Sequence, residues 1–266
     1  MNAITQAILD ARAKGAPAIV AYLTAGYPDK AGFIDTLREV ARAADVVEIG
    51  VPFSDPMADG ATIQRSSQEA LAQGVSLRWL LDALESSGPI AGAPLLLMSY
   101  CNPLLAFGRQ HLPGAARRAG VQGFIVPDLP LEESAELREA LKAEGIALVQ
   151  FVAPTTPQQR RERLAAASEG FLYAVTMNGI TGQDAALGQE TLDYLSEVRA
   201  IAKTPVCAGF GIRSAAQVAR LAPHVDGVIV GSALVELLER RDDPATWIQG
   251  LRVHPQVTAR YMRITT

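Results

Sequence analysis

The sequence is poor in the residues that usually advertise chemistry. Its 266 residues include two cysteines and three histidines. Cys101 and Cys207 stand far apart in apolar runs, which reads as two buried thiols rather than a disulfide or a nucleophile. His111, His224 and His254 are scattered away from the strand-like runs, and no D-x-D-x-D spacing occurs. Zinc or iron, a magnesium cluster and a Ser-His-Asp triad therefore all lack their side chains, and no metal is expected. Long apolar runs are missing too: none approaches the roughly 20 residues of a membrane span. The opening MNAITQAILDARAKG has helical spacing and no signal-peptide core, so a cytoplasmic protein is expected. Charge of one sign is not in excess. A net charge of −4 gives no footprint for nucleic acid or an anionic membrane. No Ser- or Pro-rich linker divides the chain, so residues 1–266 are expected to form one domain. A domain of this size removes about three quarters of its unfolded surface from water, enough for a core without staples.

What the chain does have is repetition. Eight short, nearly continuous apolar runs recur: AIVAYLT (18–24), VVEIGV (46–51), PLLLMSY (94–100), GFIVPD (123–128), ALVQFVA (147–153), FLYAVT (171–176), PVCAGFG (205–211) and GVIVGSA (227–233). Continuous runs mean strands covered on both faces, as in parallel sheets. Helical periodicity fills the stretches 29–44, 131–145, 157–170 and 190–203; in the first, Phe33, Leu37, Val40 and Ala41 share a face. Strand and helix alternate, which implies right-handed parallel crossovers. Eight such units predict a (β/α)8 TIM barrel, α/β in class, with an extra N-terminal helix. An open doubly wound sheet is the competitor, but LTAGYPD after the first run is not its G-x-G-x-x-G.

One residue does not suit its run. Glu48 interrupts VVEIGV, and a faint internal echo between 41–50, 119–128 and 223–232 sets it against Val126 and Val230. Burial is expected, which raises a carboxyl pKa and lets it exchange protons near neutrality. The alternative is a buried acid paired with Lys or Arg. Asp55 in S-D-P reads as a turn residue bonding its own backbone. Asp59, before Gly60, serves either a turn or a second, charged carboxylate beside Glu48. At the other end of the chain, glycines close the last two strand runs. Gly211, Gly231, Ser232 and Ala233 are candidates for a phosphate grip, the last three at a helix N-terminus, though glycine also serves plain turns. The Gly-rich stretch 179–190 is either a lid over the site or a surface loop.

Six motifs run through the chain: E-I-G-V-P-F-S-D-P-M-A-D-G-x-T-I-Q (48–64), M-S-Y-C-N-P (98–103), V-P-D-L-P (126–130), A-P-T-T-P (153–157), G-I-T-G (179–182) and G-F-G-I (209–212). In this combination the sequence resembles the alpha subunits of tryptophan synthase over essentially its whole length. The resemblance implies retro-aldol cleavage of indole-3-glycerol phosphate to indole and glyceraldehyde 3-phosphate. It implies Glu48 as the acid/base and Asp59 as the acceptor for the indole N–H. Tyr22, Tyr173, Thr181 and Phe210 would line the substrate pocket, with Tyr173 helping to position Glu48. Gly182, Gly211, Gly231 and Ser232 would hold the phosphate. It further implies a beta subunit, joined in an alpha-beta-beta-alpha tetramer, that carries pyridoxal phosphate and receives the indole. This chain itself would need no cofactor. Pro52, Asp55, Pro56, Asn102 and Pro103 would face that partner. Two departures stand out: Thr176-Met177 where the family usually has Ser-Arg, and Ala61 where proline is common. The competing readings are a stand-alone indole-releasing lyase, a catalytically idle activator of a beta subunit, and a sugar-phosphate isomerase or epimerase.

Overall fold

A computed structural model describes residues 2–176, 188–209 and 211–252. Eight parallel strands close into a barrel in chain order: β1 (Ala18–Thr24), β2 (Val46–Gly50), β3 (Leu95–Met98), β4 (Val121–Ile125), β5 (Ala147–Val152), β6 (Leu172–Val175), β7 (Val206–Gly209) and β8 (Gly227–Val230). The eight apolar runs hold these eight strands, with ends that differ by up to three residues, and β4 begins two residues before its run. Around them lie α1 (Ala3–Ala13), α2 (Phe33–Ala43), α3 (Ala61–Ala72), α4 (Leu77–Ser87), α5 (Cys101–Phe107) and α6 (Leu112–Arg118). There follow α7 (Ala135–Ala143), α8 (Gln158–Ala167), α9 (Gln189–Ile201), α10 (Ala215–Leu221), α11 (Ser232–Glu239) and α12 (Pro244–Leu251). The expected helix 131–145 is divided into a short 3-10 turn, Leu131–Glu133, and α7. Helices α3 to α6 fill stretches to which apolar spacing assigns no element. In α3 the reason is visible, because its buried face carries Ser66 and Ser67 beside Ile63 and Ala70.

Side chains alternate along each strand, so the barrel has two apolar layers. Ile19, Ala21, Val47, Ile49, Val228 and Val230 pack outward against the helices. Val20, Val46, Leu96, Ile125, Val149, Tyr173, Cys207 and Ile229 fill the lumen. This corrects the echo that set Glu48 against Val126 and Val230. Both valines belong to the outer layer, whereas Glu48, one residue beyond Val47, takes the inward phase. The thiols need a correction as well. Cys207 is buried, but Cys101 is only partly so, and both are free.

The extra N-terminal helix has a defined place. Ile4, Ile8 and Ala11 of α1 join the lumen cluster. Gly123 in β4 makes room for this, since a Cβ there would lie 2.7 Å from the Ile4 side chain. At the same end, acids preceding the strands accept backbone N–H groups from their neighbours: Asp45 from Ile19, Glu169 from Leu148 and Asp226 from Val206. Asp45 also pairs with Arg252, and Asp226 with Arg12 and Arg199. One end of the barrel is thereby plugged and stapled, which leaves the C-terminal ends of the strands as the open rim.

Candidate active site

Glu48 projects into the lumen near that rim, opposite Tyr22 of β1 and Leu96 of β3. It is 4% exposed, and its Oε2 has no hydrogen-bond partner among the described residues. A buried charge without a partner is expensive, so the carboxyl retains its proton. Burial first, and the charge of Asp59 second, raise its pKa to about 8. Among the described residues no cation offsets these effects, so they supply no Lys or Arg partner of the kind the alternative reading needs.

Asp59 lies between β2 and α3, immediately before Gly60, the N-cap of that helix. Burial lifts its pKa to about 6, and a hydrogen bond from the Tyr100 hydroxyl pulls in the opposite direction. The same hydroxyl accepts from the Ala58 N–H at 3.0 Å, and the Tyr100 ring lies 5.2 Å from that of Phe53. Tyr100, just beyond β3, thus holds the Asp59 loop across the rim. The phenol gives the Asp59 carboxylate a partner from another segment, which a plain turn residue does not need. Asp55 differs from expectation in detail. It is exposed, and its carboxylate accepts from the Ser54 hydroxyl at 2.5 Å rather than from its own backbone.

Two tyrosines stand near Glu48 and Asp59, one from β1 and one from β6. Tyr22 and Tyr173 are both buried, and both hydroxyls lie over a glycine of the following strand. A Cβ on Gly50 would stand 2.0 Å from the Tyr22 hydroxyl; one on Gly209 would stand 2.2 Å from that of Tyr173. Phe151 packs on the Tyr173 ring with centroids 4.7 Å apart. The charges of Glu48 and Asp59 both help to raise the pKa of each tyrosine, although burial is the larger cause, so these groups share one site. Gly50→Ala is expected to force Tyr22 aside and to cost about 1–3 kcal/mol in denaturant unfolding, as overpacking does. An alanine variant as stable as the parent would show that Tyr22 has room to spare.

The candidate phosphate grip is partly described. Gly211, after β7, has φ +75° and open space where a Cβ would be. Gly231 caps α11, and its backbone runs beside Tyr22, with 3.6 Å between the Cβ position and Tyr22 Cβ. The first helical bonds of α11 are donated by Leu234 and Val235 to the Gly231 carbonyl. The amides of Ser232 and Ala233 precede them and are oriented toward the rim at the positive end of the helix. Thr181, Gly182, Phe210 and Met177 lie outside the described residues. Thr176 is buried, and its N–H and hydroxyl both donate to the Gly209 carbonyl, at 3.1 and 3.0 Å.

Of the residues expected to face a partner, Asp55 and Asn102 are exposed, Pro56 and Pro103 are half-buried, and Pro52 is buried within the chain. Two apolar side chains in the same segments are exposed, Met57 in the loop after β2 at 86% and Leu105 on α5 at 46%. Asp128, at the end of β4, was passed over. Both of its carboxylate oxygens accept the Cys101 N–H, at 2.9 and 3.1 Å, and this anchors α5 with Asn102 and Pro103. An acid ending an apolar run was the available signal, akin to the acid inside a run that marked Glu48. Among the described residues no group of three or more His, Cys, Asp or Glu side chains could hold a metal ion. No helix there is long and apolar enough to cross a membrane.

A family model described as tryptophan synthase alpha chain matches residues 8–262. The chain belongs to the tryptophan synthase alpha chain family. Its relatives include the tryptophan synthase alpha chain of Desulfovibrio desulfuricans, 44% identical over 90% of this chain and 95% of that protein. That of Xanthomonas oryzae is 43% identical over 91% and 92%. Among solved structures, Mycobacterium tuberculosis tryptophan synthase superposes with a TM-score of 0.85 at 34% identity, covering 94% of this chain and 98% of that one. The alpha subunit from Legionella pneumophila gives 0.84 at 29% identity, over 98% and 99%. The closed eight-stranded barrel is thus the fold of the family.

Proposed function

We propose that this chain cleaves indole-3-glycerol phosphate to indole and glyceraldehyde 3-phosphate, as the alpha subunit of a tryptophan synthase. The observation that carries the reading is the pair of carboxyls with divided environments: Glu48 dry, unpaired and protonated, Asp59 wetter and held by Tyr100. Protonated Glu48 delivers its proton to C3 of the indole ring. The positive charge that appears on the ring nitrogen is met by the Asp59 carboxylate, which accepts the indole N–H. The Glu48 carboxylate then takes the proton of the hydroxyl on the carbon attached to C3. The carbon–carbon bond breaks, its electron pair restores the aromatic ring, and the hydroxyl carbon becomes the aldehyde. In this reading Tyr22 and Phe210 flank the ring, Tyr173 helps to position Glu48, and Thr181 lines the pocket. Gly182, Gly211, Gly231 and Ser232 hold the phosphate through backbone N–H groups.

None of these steps asks for a cofactor of this chain. Pyridoxal phosphate belongs, in this reading, to a beta subunit that consumes the indole within an alpha-beta-beta-alpha tetramer in the cytoplasm. The exposed Asp55, Met57, Asn102 and Leu105 supply a mixed polar and apolar face for that partner.

The test is release of indole from indole-3-glycerol phosphate by the purified chain, with and without a beta subunit. A large rise with the partner is expected. High turnover by the chain alone would favour a free lyase, and no indole under either condition would sink the proposal. The pH profile is a separate prediction. Activity should rise as Asp59 ionises through about pH 6 and fall as Glu48 loses its proton through about pH 8. A kcat/KM that stays flat from pH 7 to 9 would show that Glu48 is not the acid.

A further inference from the structure

One polar cluster on the rim is not accounted for by the reaction. Glu236, on the second turn of α11, receives both terminal nitrogens of Arg213 at 2.8 Å each. Its Oε1 also accepts from the Thr62 hydroxyl at 3.1 Å. The three residues come from three segments. Thr62 is in the first turn of α3, three residues after Asp59. Arg213 is two residues after Gly211. Glu236 stands one turn along the helix that begins at Ser232.

We infer that Glu236 is a positioning residue that holds the phosphate loops and the Asp59 loop in one register. The inference rests on the reading above, in which phosphate sits at Gly211, Gly231 and Ser232. The loop carrying Arg213 is stiff. The Arg213 N–H donates to Gln217 Oε1 at 2.7 Å, and Ser214 and Gln217 form a capping box on α10. A pull on Gly211 therefore reaches Arg213 without being absorbed by the loop. A bidentate guanidinium–carboxylate pair fixes orientation as well as distance. The hydrogen bonds from Arg213, with that from Thr62, keep Glu236 ionised by lowering its pKa. On the other side, Thr62 is joined to Asp59 by one short stretch of backbone. Half-exposed ion pairs contribute little to stability, so the cluster is poorly explained as a fold staple. The packing of α3 against α11 leaves the fold standing when Glu236 is changed.

The two arms of the link separate in kinetics. Thr62→Val should lower kcat about fivefold with KM near the parent value, because it frees only the Asp59 side. Arg213→Ala should raise KM about fivefold with little change in kcat, because it frees only the phosphate side. Glu236→Ala should do both, with an unchanged melting temperature. The readout without catalysis is amide hydrogen exchange of residues 58–64 on adding inorganic phosphate. Protection is expected in the parent chain and its loss in Glu236→Ala. Two results would overturn the inference: kinetic constants of Glu236→Ala equal to the parent's, or equal phosphate protection in both proteins. A parent chain that releases no indole but shows the exchange difference would refute the reaction and leave the link intact.

Discussion

Glu48→Gln should lower kcat by about 10³-fold while substrate affinity changes little, because it removes the proton and keeps the shape. Single-turnover release of indole measures the first quantity and equilibrium binding of the substrate the second. A variant that retains ordinary turnover would make the acid structural. The same substitution should also stabilise the protein, and the sign follows from linkage. The unfolded chain ionises Glu48 near 4.5, whereas the folded chain retains the proton to about 8. Between those values unfolding releases a proton, so stability falls as pH rises. Glutamine abolishes that dependence. Urea titrations should show parent and variant alike below pH 4.5 and a gap opening from pH 5 to 8, of order a few kcal/mol. A catalytic group that destabilises its own fold is the pattern expected of an active site rather than a core.

Asp59→Asn should cost about 10²–10³-fold in kcat with a small change in KM. The asparagine oxygen still accepts the indole N–H in the ground state but brings no charge to the cation that forms on the ring. The substitution carries a second signature. Asp59 is one of the causes that raise the Glu48 pKa, so removing its charge should shift the alkaline limb of the pH profile to lower pH. The acid limb near 6, which belongs to Asp59 itself, should vanish. An unmoved alkaline limb would mean that the two carboxyls do not sense each other. The double variant should be little worse than Glu48→Gln alone, since the residues act on one transition state.

The barrel was legible because eight buried parallel strands leave eight apolar runs, and nothing else in the composition competes with them. Glu48 was legible for the complementary reason, as an acid inside such a run. Its register was not: the echo aligned it with Val126 and Val230, which face the helices, and a repeat shifted by one residue exchanges lumen for shell. Asp59 stayed ambiguous in the local sequence because its contact with Tyr100 joins two loop residues 41 positions apart. Asp128 and Glu236 were missed for the same reason, since their partners Cys101, Thr62 and Arg213 are distant in sequence. Helix α3 escaped because buried serines replace the apolar stripe that marks a helix. Spacing reports which residues share a face, whereas a site assembled from four or five loop ends is visible only once the barrel has closed.

The N-terminal helix has a consequence for traffic. With Ile4, Ile8 and Ala11 seated in the floor and the lumen filled above them, the molecule is a cup and not a pipe. Among the described residues the open side is the C-terminal ends of the strands, and substrate and products are expected to pass there. Met57, after β2, and Leu105, on α5 after β3, stand exposed on loop and helix segments that follow those strands at this end. Any protein that docks on those segments therefore controls what leaves the cup and where it goes next.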